Sequence, residues 1–164
     1  MHLICRFILG GIIKKEVQHM VFPVNNIKFR IGTAGRASSD AEMTAISDME
    51  SFSISFDSGI ESWNPIDQEG WVRRLMTSKS MTVSLSGKRN YGDFGNDYIA
   101  GLAYENGDKA ASVLETIFPN GAVLRMDCVI NVTASDGGNA TDVGVLQFEC
   151  LSEGKPKYMT TGGA

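Results

Sequence analysis

The stretch Trp63 to Gly107, WNPIDQEGWVRRLMTSKSMTVSLSGKRNYGDFGNDYIAGLAYENG, holds the densest mixture of structural signals in the chain. Both tryptophans lie in its first third, among Pro65, Ile66, Val72, Leu75 and Met76. Lys79 to Ser86 then alternates strictly. Met81, Val83 and Leu85 face one way and Ser80, Thr82, Ser84 and Ser86 the other, which predicts a half-buried strand. After the basic turn Gly87-Lys88-Arg89-Asn90, the segment from about Asp93 to Glu105 can form a short helix. Asp93 or Asn96 would cap it, Tyr98, Ile99 and Leu102 would form its apolar stripe, and Asn106-Gly107 would stop it.

Upstream, Glu50 to Asp57 repeats the alternation of the strand. Phe52, Ile54 and Phe56 oppose Ser51, Ser53, Ser55 and Asp57. Two strands with hydroxyl-rich outer faces predict a sheet with one core side and one wet side. Ser58 to Ser78 between them reads as a long loop rich in aromatic and apolar groups. It either folds back over its own core or packs on another subunit.

The remaining strands follow the same rule. Ile27, Phe29 and Ile31 alternate with Lys28 and Arg30, and Gly32 to Asp48 reads as a long polar loop. Ala110 to Phe118, Ala122 to Asn131 and Val143 to Leu151 form a meander, joined by the turn Pro119-Asn120-Gly121 and a tip at Ser135 to Asn139. The predicted class is mainly β: an antiparallel β-sandwich or flattened barrel with one short α-helix and a long loop.

Bulk properties narrow the function. The 164 residues suit one domain, and 43% hydrophobic with 21% charged residues is ordinary globular composition. A net charge of −4 opposes a tight grip on nucleic acid, which needs clustered cations. Cys5, Cys128 and Cys150 match no zinc spacing, and His2 and His19 are the only histidines. No serine or cysteine nucleophile has a histidine partner within residues 20–164, so an enzyme is not expected. Asp93 and Asp97 could pair as acid and base, but at a helix start they read as capping groups. No glycine-rich phosphate loop or cofactor motif is present in the sequence.

The resemblance rests on four runs: Asp67 to Arg74, Lys79 to Ser84, Gly87 to Asp93, and Gly95-Asn96-Asp97-Tyr98, with Phe118-Pro119-Asn120-Gly121 beyond them. Over roughly Asn26 to Tyr158 the chain resembles the major tail proteins, or tail tube proteins, of long-tailed bacteriophages. That resemblance implies six copies per ring and rings stacked into a hollow virion tube, assembled in the bacterial host cytoplasm. DNA passes through such a tube without specific binding. Further partners would be the tape-measure protein and tail terminator or tip proteins, with no membrane involved. It places Trp63, Pro65, Trp71, Arg73 and Arg74 at subunit contacts. Ser51, Ser53, Ser55, Ser80, Thr82 and Ser84 become the candidate lumen face. The inner tube of a contractile tail or phage-like injection particle is the near alternative; a monomeric β-sandwich binding module is the distant one.

Residues 20–158 are assigned to the tail-tube-like domain and 159–164 to a flexible tail. The apolar run near the N-terminus is interrupted by Arg6 and is too short for a membrane span. Lys15-Glu16-Val17 can be encoded by a sequence containing a ribosome-binding site just before Met20. Residues 1–19 are therefore expected to be a non-native leader or disordered extension. N-terminal sequencing of protein from the native source should begin at Met20; finding Met1 or His2 would reject the idea.

Overall fold

The computed structural model describes residues 21–160. The expected leader, residues 1–19, and the end of the expected tail, 161–164, lie outside them. Eight strands and one α-helix follow in order: β1 (Lys28–Gly32), β2 (Met43–Ala45), β3 (Met49–Trp63), β4 (Arg73–Lys88), α1 (Phe94–Gly101), β5 (Ala111–Ile117), β6 (Val123–Ala134), β7 (Val145–Ser152) and β8 (Lys157–Met159). All pairings are antiparallel. The order is β2-β1-β5-β6-β7-β4-β3, and β8 pairs with β6. The mainly β class with one short helix is as the alternation predicted. The strands join one open sheet, however, and not two facing ones.

That sheet curls. From β1 to β3 is five strand spacings, about 24 Å if flat. Yet the rings of Phe29 on β1 and Phe52 on β3 lie 5.0 Å apart, edge to face. Side chains thus bring β1, the strand next to the β2 margin, against the margin strand β3, in the manner of a flattened barrel. The core between them is the predicted alternation made physical: Val83 and Leu85 on β4, Met126, Cys128 and Ile130 on β6, and Leu146, Phe148 and Cys150 on β7 are all buried. The Cys128 and Cys150 thiols are free. The hydrogen bond with Cys128, followed by burial, pushes the Cys150 thiol pKa well up, so it stays neutral.

Helix α1 is pinned at this seam. The Asp93 side chain accepts from the Asn96 amide at 2.9 Å and from the Ser47 hydroxyl at 2.7 Å. Partial burial pushes its carboxyl up, but these donors outweigh burial and hold it below the usual carboxylate range. Its stabilising contribution is therefore present above the ordinary carboxylate pKa and is lost as pH falls through the folded value. Buried Asn96 accepts from Arg89 at 2.8 Å and donates to the Lys88 carbonyl at 2.9 Å. Gly95 must be glycine, because a Cβ there would stand 2.2 Å from the Ala45 carbonyl oxygen. The helix ends earlier than expected, and Leu102–Tyr104 continue as a single 3-10 turn.

The polar segment Gly32 to Asp48 is more ordered than its composition suggested. It contains two 3-10 turns, Gly35–Ala37 and Asp40–Glu42, and strand β2. Ser39 and Glu42 form a capping box. The segment helps to cover β5, six of whose seven residues are buried. Glu115 on β5, nearly buried, meets Arg125 at 2.8 Å and Arg30 at 3.2 Å, while Arg125 also reaches Asp40 at 2.7 Å. A buried carboxylate is tolerable here because two guanidinium groups solvate it. At the C-terminal end, the expected tail begins inside strand β8, where Met159 pairs with Val123.

The long loop needs correction. β3 and β4 run on past the body as a hairpin, and only residues 64–72 connect them. Alternation was hidden because a bulge shifts the register: Gly59 pairs with Ser78, but Ile60 pairs with Met76, leaving Thr77 extra.

One buried polar atom, Thr116 Oγ1, has no hydrogen-bond partner. Thr116→Val replaces that hydroxyl with a methyl and should raise stability by about 1 kcal/mol. Thermal melting checks this; a lower Tm would show that the hydroxyl is satisfied in solution.

Candidate assembly surface

Beyond Phe56 and Met81 the β3–β4 hairpin leaves the core and becomes an arm exposed on both sides. Every residue from Arg73 to Ser80 is exposed, whereas Met81, Val83, Leu85 and Gly87 are buried in alternation. The arm carries an apolar load that no body of its own covers. Phe56 is 64% exposed, Ile60 56%, Leu75 59%, Met76 54% and Trp71 77%. Phe56 was expected to point into the core. It does lie on the core-side face, paired with Met81, but the core has ended beneath it.

The register places the arm residues. Phe56, Ile60, Met76 and Arg74 share the core-side face; Trp63 pairs with Arg73 on the wet side. At the tip the Gln68 amide donates to the Pro65 carbonyl at 3.3 Å, and the Trp71 amide to the Gln68 carbonyl at 2.8 Å. Glu69 and Gly70 turn the chain with positive φ, 49° and 87°. The Asn64 side-chain amide closes across to the Gly70 carbonyl at 3.2 Å. Trp63, Pro65, Trp71, Arg73 and Arg74 are thus brought together at one end of the molecule. Among the described residues, neither arginine makes an ion pair.

The six predicted wet-face residues also come together. Ser53 pairs with Ser84, Ser55 with Thr82, and Asp57 with Ser80, and Ser51 stands across from Ser86 on the same face. β7 extends this surface with Gln147, Glu149 and Leu151 opposite Ser86, Ser84 and Thr82, and Asn131 of β6 stands opposite Glu149. Its central rows are hydroxyls, amides and carboxylates.

Two features of the surface were not legible beforehand. Among the described residues no strand pairs with the outer edge of β3, so 15 residues present an open row of backbone donors and acceptors about 50 Å long. And at the seam, where β3 begins, lies a cleft of about 330 Å³ lined by Ile27, Phe29, Met49 and Phe52, with Asp48 and Glu50. Neither follows from alternation alone, because both depend on which strand ends up at the margin.

The carboxylates weighed as an acid–base pair have structural partners. Asp93 caps α1, and Asp97 bonds Arg89 at 2.7 Å and the Gly92 amide at 2.9 Å. The Arg89 side chain, followed by the Gly92 amide, holds the Asp97 carboxyl below its ordinary range. Among the described residues no cluster of three or more histidine, cysteine, aspartate or glutamate side chains could hold a metal ion. No helix among them is long and apolar enough to cross a membrane.

The chain shares its fold with subunits of a six-fold symmetric particle tail and a six-fold baseplate. It matches a chain from the tail of an empty gene transfer agent particle, refined helically with C6 symmetry, at a TM-score of 0.65. That match covers 85% of this chain and 100% of the other at 15% identity. A chain from the virion of the native gene transfer agent particle gives 0.62, again over 85% and 100%, at 16% identity. A chain from the six-fold symmetrised baseplate of the anti-feeding prophage gives 0.53, over 88% and 100%, at 8% identity. No family model and no curated protein matches the sequence. At such identities the likeness is one of backbone architecture, and it covers the whole of each neighbouring chain.

Proposed function

We propose that this protein is the structural subunit of a phage-type tail tube. In this reading it polymerises as stacked hexameric rings around a channel through which DNA passes. One observation carries the reading: the fold of six-fold tail assemblies here bears an apolar arm and an open 15-residue strand edge. Isolated, both are liabilities, since an open edge templates pairing and exposed aromatics seek burial. In a stack of rings each would find a neighbouring copy. Burying a side chain of the size of Trp71 contributes about 2–3 kcal/mol per subunit, and the contribution recurs six times around a hexamer.

The wet face suits a lumen. Rows of serine and threonine with Asp57 and Glu149 offer hydrogen bonds to water, and the cations of this face, Lys88 and Arg73, stand at the two ends of β4, away from the central rows. A tape-measure protein and terminator or tip proteins would be the other partners, in a virion tail assembled in the host cytoplasm. The likeness to the anti-feeding prophage baseplate chain favours a second reading, the inner tube of a contractile or injection particle. A monomeric β-sandwich binding module fits less well, because Trp63 and Trp71 stand at the arm end and form no platform on the sheet face.

Trp71→Ala should give a folded monomer whose critical concentration for tube formation is raised at least tenfold, roughly what loss of one interfacial anchor costs. Electron microscopy of concentrated or seeded protein reads this out; tubes of normal length at wild-type concentration would reject the assignment. Cysteines placed at Ser53, Ser84 or Thr82 should react with maleimide in the monomer and be shielded from a bulky maleimide in capped tubes. Equal labelling in both states would remove this face from the lumen.

A further inference from the structure

The arm and the seam cleft sit at opposite ends of one strand. The cleft is lined by Met49, Glu50 and Phe52 at the start of β3, and the Ile60–Met76 face lies near its far end. Glu50 and Ser62, the partner of Arg74, are separated by twelve residues, or about 40 Å of extended chain. A projection at one end and a recess at the other is the layout of a head-to-tail contact, which repeats along an axis without closing.

The two surfaces also match in chemistry. Arg74 shares the core-side face of the arm with Ile60 and Met76, and all three are exposed. The cleft combines the apolar Phe29, Phe52 and Met49 with two acidic groups, Asp48 and Glu50, and one cation, Lys28. Among the described residues Glu50 is held by a 3.7 Å contact to Lys88, with both side chains substantially exposed. Such a pair is weak in water and leaves the carboxylate free to take another cation. Asp48 accepts from the side-chain amide of Asn90, and its other carboxylate capacity is open to a guanidinium.

The geometry points to a specific joint between copies: the Ile60–Met76 face of one subunit's arm seats in the seam cleft of the next subunit along the stack. Arg74 then meets Glu50 and Asp48 of that neighbour. This rests on the tail-tube reading and names the partner of its arm. The joint explains why the seam is left open where β3 begins. It also accounts for the core-side apolar row continuing onto a segment with no core beneath it.

A charge exchange tests the joint separately from the reading. Arg74→Glu and Glu50→Arg should each raise the critical concentration for tube formation roughly tenfold, because each sets like charges together. The double variant should return to within about threefold of wild type. Both positions are exposed, so circular dichroism and thermal melting should show folded proteins. If a charge variant fails to fold, Ile60→Cys combined with Met49→Cys supplies the readout. Oxidation during polymerisation should then give a ladder of covalent multimers, which neither single variant gives. Tubes formed by wild type with no rescue in the double variant, or with no ladder beyond that of the single variants, would overturn the joint and leave the tail-tube reading standing. Wild-type protein that stays monomeric even when seeded would overturn both.

Discussion

The contact between Phe29 and Phe52 governs this molecule, because it closes the sheet through side chains where hydrogen bonds do not. A closed barrel has no edges. An open flat sheet has two, and buries little between them. Here β1 and the margin strand β3 approach closely enough to bury a core, as the 5.0 Å ring separation shows, while the outer edge of β3 stays unpaired. Curling buries a core within one chain; incomplete closure leaves an edge with unpaired backbone groups. The helix reinforces the arrangement at the same place. Asp93, Ser47 and Asn96 tie α1 to the seam, and Gly95 lets the helix backbone approach Ala45.

Core and arm are one hairpin under two different conditions. The same alternation that buries Val83 and Leu85 leaves Ile60 and Met76 in water, because the strands outrun the helix and the opposing sheet margin. A bulge at Thr77 breaks the register at the transition, and a bulge strengthens local twist. Apolar groups on the arm are costly for a lone chain and would be favourable for an assembled one, the free-energy difference that the proposed polymerisation requires.

The wet face makes the complementary argument. In the tube we propose, the surface that a polyanion passes should hydrate well and bind weakly. Paired serines and threonines supply hydrogen-bonding capacity at low charge, with Asp57 and Glu149 among them. The ionic cluster of Arg30, Arg125, Glu115 and Asp40 lies over β5, away from those central rows, and holds the 32–48 segment against the sheet.

Local patterning alone determined the β class, the positions of most strands, the Asp93-capped helix and the grouping of Ser51, Ser53 and Ser55 with Ser84 and Thr82. Each depends on side-chain period or cap chemistry, which act over a few residues and can be read in order along the chain. It could not show that Ser58 to Ser78 is mostly strand, since one extra residue at Thr77 erases period two. Nor could it show that Phe56 is exposed, because alternation states which face a residue takes and not whether anything lies beneath that face. Met159 was assigned to a flexible tail, yet it pairs with Val123 through backbone groups that every residue carries. The open edge, the seam cleft and the arm belong to tertiary structure for one reason. They depend on which strands become neighbours and where the core stops, and those are long-range contacts that no local pattern encodes.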